Sequence, residues 1–69
     1  SRMTDALGPG AWLGILGGGQ LGRMLAMAAA RLGLHAHIYD PDPQAPAAEV
    51  AARFTRAPWD DAGALSAFA

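Results

Sequence analysis

Cysteine is absent from the 69 residues, and lysine is absent too, all five basic side chains being arginine. Without cysteine there is no disulfide framework, no thiolate metal site and no thiol nucleophile, which suits a reducing, cytoplasmic setting. Charge of either sign is scarce. Five basic against six acidic residues leave a formal net charge of -1, so there is no electrostatic case for nucleic acid or for an anionic membrane surface. No apolar run is long enough to span a bilayer, and Arg23 and Arg31 interrupt the longest candidate. A secretory signal pattern is missing as well. Yet 52% of the residues are hydrophobic and only 16% charged, which excludes a disordered chain. A chain of this length makes one small domain, burying roughly 60% of its unfolded surface, and is expected to be a piece of a larger enzyme rather than the whole of one. In the opening SRMTDALGPG, Met3 reads as an initiator behind a two-residue expression scar, with Gly8 and Pro9 in a loose leader. Residues 1–11 are therefore set aside, and residues 12–69 are taken as the domain.

What the sequence does have is glycine in one place. GILGGGQLGRM, residues 14–24, holds Gly17, Gly18, Gly19 and Gly22 between two apolar segments. Trp12 to Leu16 has the character of a buried parallel strand, and Leu21, Leu25, Ala28 and Leu32 recur at helical spacing beyond the glycines. The cluster thus joins a strand to a helix, where the first backbone N–H groups lack internal partners and the helix dipole is positive. Such a junction seats an anion, a phosphate by default. Met24 and Met27 read as packing, and Arg23 and Arg31 as solvated helix residues, Arg23 being near enough to the loop to assist an anion.

Gly33 is placed as a left-handed helix stop, and His35 to Tyr39 as a second strand ending at Asp40. DPDPQAP, residues 40–46, carries three prolines and must be an ordered, extended loop. Pro46 suits the first turn of a helix over Ala47 to Ala52, Arg53 to Ala57 reads as a third strand, and Asp60 or Asp61 caps a last helix carrying Leu65 and Phe68 on one face. Trp59 covers a strand end. The pattern β-α-β-α-β-α predicts an α/β, Rossmann-like fragment with a parallel sheet. Its three strands make the isolated chain marginally stable and prone to associate.

Gly17, Gly19 and Gly22 satisfy G-x-G-x-x-G in the strand-turn-helix context, with Asp40 about 20 residues on. Asp40 either accepts hydrogen bonds from ribose hydroxyls or caps its own loop by bonding backbone N–H groups two residues on. Gln20 offers an amide at the mouth of the loop and reads as a ligand contact. His35 and His37 share one strand face but have no third ligand, so they read as a partly exposed sheet face and not as a metal site. No nucleophile-base pair or paired carboxylates are present, so no residue is taken as catalytic.

Read together, GILGGGQLGRMLAMAAARLG and HIYDPDPQAPAAEVAARF resemble the N-terminal domain of the 5-(carboxyamino)imidazole ribonucleotide synthetase family, ATP-grasp enzymes of bacterial and fungal purine biosynthesis. The likeness runs from Leu13 to the last residue. It implies a parent with a Rossmann-like first domain, a central ATP-grasp module and a small C-terminal domain, acting as a cytoplasmic homodimer. In such a parent, ATP and bicarbonate give carboxyphosphate, and the exocyclic amine of aminoimidazole ribonucleotide takes up the carboxyl group. The ATP and magnesium sites are implied to lie outside this chain, which alone should neither bind nor hydrolyse ATP. The resemblance turns Gly18, Gly19, Gln20 and Leu21 toward the ribonucleotide's single phosphate, with Gly17 and Gly22 setting the loop geometry. Three alternatives stay open: an NAD(P)-binding Rossmann module, a relative such as the formate-dependent ribonucleotide transformylase, and a scaffold with a vestigial loop.

Overall fold

The computed structural model describes residues 9–69. Along the chain run strand β1 (Trp12–Leu16), helix α1 (Gln20–Arg31), strand β2 (His35–Asp40), a 3-10 turn (Pro46–Val50), strand β3 (Arg53–Arg56) and helix α2 (Ala62–Phe68). The strands form one parallel sheet in the order β1-β2-β3, with Ile15 opposite Ile38 and Ile38 opposite Phe54. Parallel neighbours require crossovers, and both of these, α1 and the 3-10 turn, lie on the same face of the sheet and pack on one another. The expected Rossmann-like α/β arrangement is therefore present, with β2 at its centre.

Apart from Gly22, α1 consists entirely of strong helix formers (Gln, Leu, Arg, Met and Ala). It stops where expected: Gly33 has φ +80°, its N–H donates to Ala30 O at 3.1 Å, and the N–H of Leu34 donates to Ala29 O at 2.8 Å. These two bonds satisfy carbonyls that the last turn would otherwise leave open.

The helix does not bury its large apolar residues. Gly22, Ala26 and Ala29 face the sheet and pack with Ala36, Ile38 and Ala47, while Leu21 and Leu32 stay 69% and 70% exposed. Met24, Leu25 and Met27 are exposed as well, so the packing role expected of the methionines is not found. The reason is close approach: α1 lies so near β1 that a Cβ on Gly22 would collide with the carbonyl oxygen of Gly17, and only small side chains fit beneath it.

A second correction concerns Ala47 to Ala52. The segment Pro46–Val50 is a 3-10 turn, and Ala51 is already extended. The Ala47 N–H is drawn to Gly18 O and the Ala52 N–H to Ala36 O, so both ends of the segment are tied to the sheet layer before an α-helix can close its first turns. Strand β3 ends at Arg56, with Ala57 buried just past it.

Of the two capping candidates, Asp61 is the one used, its Oδ1 accepting from the Ala64 N–H at 2.9 Å. Helix α2 then lays Phe68 against His37 and Tyr39, with ring centroids 4.4 and 5.4 Å apart, on the face opposite α1. Trp59 covers Tyr39 at 5.5 Å, near the end of β2 as expected. In the segment assigned to the leader, the N–H of Gly10 donates to Gly33 O and Ala11 O accepts from the His35 N–H. Residues 1–8, including Met3 and Gly8, lie outside the described residues.

Candidate functional site

The glycines between β1 and α1 are bare for different reasons. Gly17 has φ +110°, a conformation that side-chain-bearing residues rarely adopt, and its N–H donates to Tyr39 O at 2.8 Å. Gly18 is buried, and a Cβ there would come within 2.8 Å of the Ala45 Cβ. Gly22 carries the helix against the loop. Gly19 differs from all three: it is extended, its carbonyl accepts the first helical bond from the Arg23 N–H at 2.9 Å, and a Cβ on it would meet nothing within 4 Å. Internal packing gives no reason for Gly19 to be bare. A group approaching the backbone from outside the fold would need the room that this open Cα leaves.

The donors at this turn match that requirement. Among the described residues, no hydrogen bond uses the backbone N–H of Gly19, Gln20, Leu21 or Gly22, no side chain caps the helix, and no acidic residue occupies its first turn. The helix dipole adds partial positive charge to these free N–H groups at the start of α1. Gln20 is exposed beside them. Gly18, expected to contact the ligand, is engaged inside the fold: its N–H donates to Asp40 Oδ2 at 2.7 Å and its carbonyl accepts from the Ala47 N–H at 2.8 Å.

Asp40 makes the contacts of a loop cap. Its Oδ1 accepts from the Asp42 N–H at 2.8 Å, and Asp42 Oδ1 in turn accepts from the Gln44 N–H at 2.9 Å, so the carboxylates order DPDPQAP from within. Arg23, expected as a solvated residue able to assist an anion, is paired instead: its Nη1 donates to Pro46 O at 2.9 Å and to Glu49 Oε1 at 3.0 Å, while its side chain stays 33% exposed. It ties the first turns of α1 to the 3-10 turn. With Arg23 and Glu49 26 positions apart, no local pattern announces the pair.

The two histidines do not converge on a metal. His37 Nε2 and Thr55 Oγ1 share a hydrogen bond of 2.6 Å, while His35 lies against Trp12 at 4.9 Å. Burial, helped by the Arg53 charge, pushes the His37 pKa down. Among the described residues, no group of three His, Asp or Glu side chains is placed to hold a metal ion, and no helix is long and apolar enough to cross a membrane.

Residues 11–69 match the family described as the ribonucleotide synthetase preATP-grasp domain. The chain belongs to that family. Over 64 residues it is 55% identical to the N5-carboxyaminoimidazole ribonucleotide synthase of Brucella melitensis, a match covering 93% of this chain and 18% of that protein. The fold agrees with the crystal structure of N5-carboxyaminoimidazole synthetase from Staphylococcus aureus complexed with ADP, at a TM-score of 0.87 and 41% identity over 91% of this chain and 17% of that one. The Thermus thermophilus synthetase is 51% identical at a TM-score of 0.75, over 80% of this chain and 15% of that one. The preATP-grasp domain described here thus spans about a sixth of the length of these relatives. They are named for the synthetase, not for nicotinamide redox chemistry or formyl transfer, which favours the synthetase over the other readings of the loop.

Proposed function

We propose that this preATP-grasp domain supplies the phosphate seat for the ribonucleotide substrate of an N5-carboxyaminoimidazole ribonucleotide synthetase. The observation that carries the reading is the set of backbone N–H groups at Gly19, Gln20, Leu21 and Gly22, free of internal partners and fronted by the open Cα of Gly19. Several N–H donors at a helix start suit one compact phosphate. In the parent reaction, ATP and bicarbonate give carboxyphosphate and the substrate's exocyclic amine takes up the carboxyl group, making the whole protein an ATP-dependent ligase of purine biosynthesis. The domain's part is to bind and orient the ribonucleotide so that this amine meets the activated carboxyl group.

ATP and magnesium fit elsewhere in the parent. The carboxylates of Asp40 and Asp42 are held by backbone N–H groups of their own loop, and this chain has no lysine for the nucleotide's phosphates. The ADP held by the Staphylococcus aureus relative supports an ATP site in a full-length parent. A cytoplasmic setting, magnesium and a homodimeric parent belong to the same reading.

A domain exchange tests it. Residues 11–69 replace the matching segment of the Brucella melitensis synthase, and the chimera is assayed for ribonucleotide-dependent ADP release. Turnover with a KM within about tenfold of the parent's is the expected result, a difference worth about 1.4 kcal/mol. A folded chimera that binds ATP but ignores the ribonucleotide overturns the reading.

A further inference from the structure

We propose that Asp40 is a positioning residue for the phosphate seat, one that pins the glycine loop from behind and does not itself touch the ligand. The proposal rests on the phosphate-seat reading given above. Gly18 is the residue just before the free donors, and as a glycine it is a natural swivel. Both peptide planes that meet at its Cα are held from elsewhere in the chain, one by the last residue of β2 and the other by the 3-10 turn. On one side, its N–H donates to Asp40 Oδ2 at 2.7 Å; on the other, its carbonyl accepts from the Ala47 N–H at 2.8 Å. That second plane also contains the N–H of Gly19, the first of the free donors. Fixing Gly18 therefore fixes the direction in which Gly19 points.

Asp40 in turn is oriented by its other oxygen, which accepts from the Asp42 N–H at 2.8 Å. One carboxylate thus bridges two loops whose bonded residues are far apart in sequence, Gly18 and Asp42. Both bonds are charge-assisted, the stronger class for a backbone donor. Removing the carboxylate leaves the part-buried Gly18 N–H without its partner and releases one of the two planes that hold the swivel, leaving only the Ala47 bond. The loss then falls on phosphate binding, through geometry and not through a lost ligand contact.

The experiment uses the active chimera with Asp40→Ala and Asp40→Asn, and inorganic phosphate as a competitive inhibitor. The expected result for Asp40→Ala is a KM for the ribonucleotide and an inhibition constant for phosphate both raised about tenfold, with kcat and the KM for ATP changed less than about twofold. Asp40→Asn keeps one acceptor oxygen and should fall between, which also serves if the alanine variant does not fold. A phosphate inhibition constant left unchanged while the ribonucleotide KM rises makes Asp40 a ribose contact and overturns the proposal. Equal losses in kcat and in both KM values make it merely structural and overturn it too. An inactive chimera speaks against the phosphate-seat reading instead. Amide hydrogen exchange in the protein carrying this chain then judges the latch alone, with protection of Gly18 that Asp40→Ala abolishes supporting it and an unprotected Gly18 overturning it.

Discussion

On the α1 side of the sheet, the fully buried layer is Ala26, Ala29, Ala36, Ile38 and Ala47, with larger, partly buried side chains such as Ile15 and Phe54 packed around it, and Ile38 has no exposed surface. On the other side, His37, Thr55, Tyr39 and Phe68 meet under a seven-residue helix, with a hydrogen bond and tilted rings in place of tight aliphatic contact. The contrast follows from what each helix must do. Helix α1 has to bring its first turn onto the end of β1, and only small side chains allow that approach. Helix α2 carries no such duty and spans the gap with large, adaptable rings. The closely packed side is thus the one that positions the phosphate seat.

The sharpest test of this contrast compares a deletion on each face. Ile38→Ala should destabilise the fold by about 2–5 kcal/mol, because the removed side chain lies wholly inside a layer that cannot collapse around the cavity. Phe68→Ala, on a seven-residue helix and only partly buried, should cost distinctly less when both are measured by chemical denaturation. Equal costs would erase the difference between the faces.

Within the loop, the same distinction separates two glycines. Gly22→Val drives a branched side chain into the Gly17 carbonyl, and overpacking of this kind costs at least about 1–3 kcal/mol. Gly19→Val meets open space, so the melting temperature should move little while phosphate protection against thermal unfolding disappears. If Gly19→Val unfolds the protein, Gly19 serves packing after all.

The smallest effect concerns pH. The folded state holds the His37 pKa below its ordinary value of 6.5, so the unfolded chain binds the proton more readily. This contribution to stability is fully present above pH about 6.5 and is lost as the pH falls from there through the lowered folded value. Denaturation midpoints at pH 7.5 and 5.5 should differ in that direction in the wild type, by an amount that His37→Gln reduces. An unchanged difference in the variant would remove His37 from the account.

Much of this was legible in the chain. Alternation of apolar strands with helix formers placed β1, α1, β2 and β3 to within a residue or so, and glycine at 33 ended α1 by the left-handed turn that only glycine adopts easily. Asp40 was recognisable as important, but its partner was not, because ribose hydroxyls and the Gly18 N–H make the same demand on a carboxylate. The Arg23–Glu49 pair and the 3-10 turn stayed hidden for a related reason: each depends on contacts between residues more than fifteen positions apart.

Local chemistry determined where the backbone reverses, where helices begin and stop, and that an unprotected helix start follows β1. Those properties depend on dihedral preference and on N–H groups within a few residues of one another. Which side of α1 is buried was decided only in three dimensions. By hydrophobicity alone, Leu21, Leu25 and Leu32 outrank Gly22, Ala26 and Ala29, yet the sheet accepts the smaller set because the loop brings the helix too close for anything larger. Steric fit at the contact overruled apolar area, and the N–H groups of Gly19 to Gly22 are left without hydrogen-bond partners among the described residues.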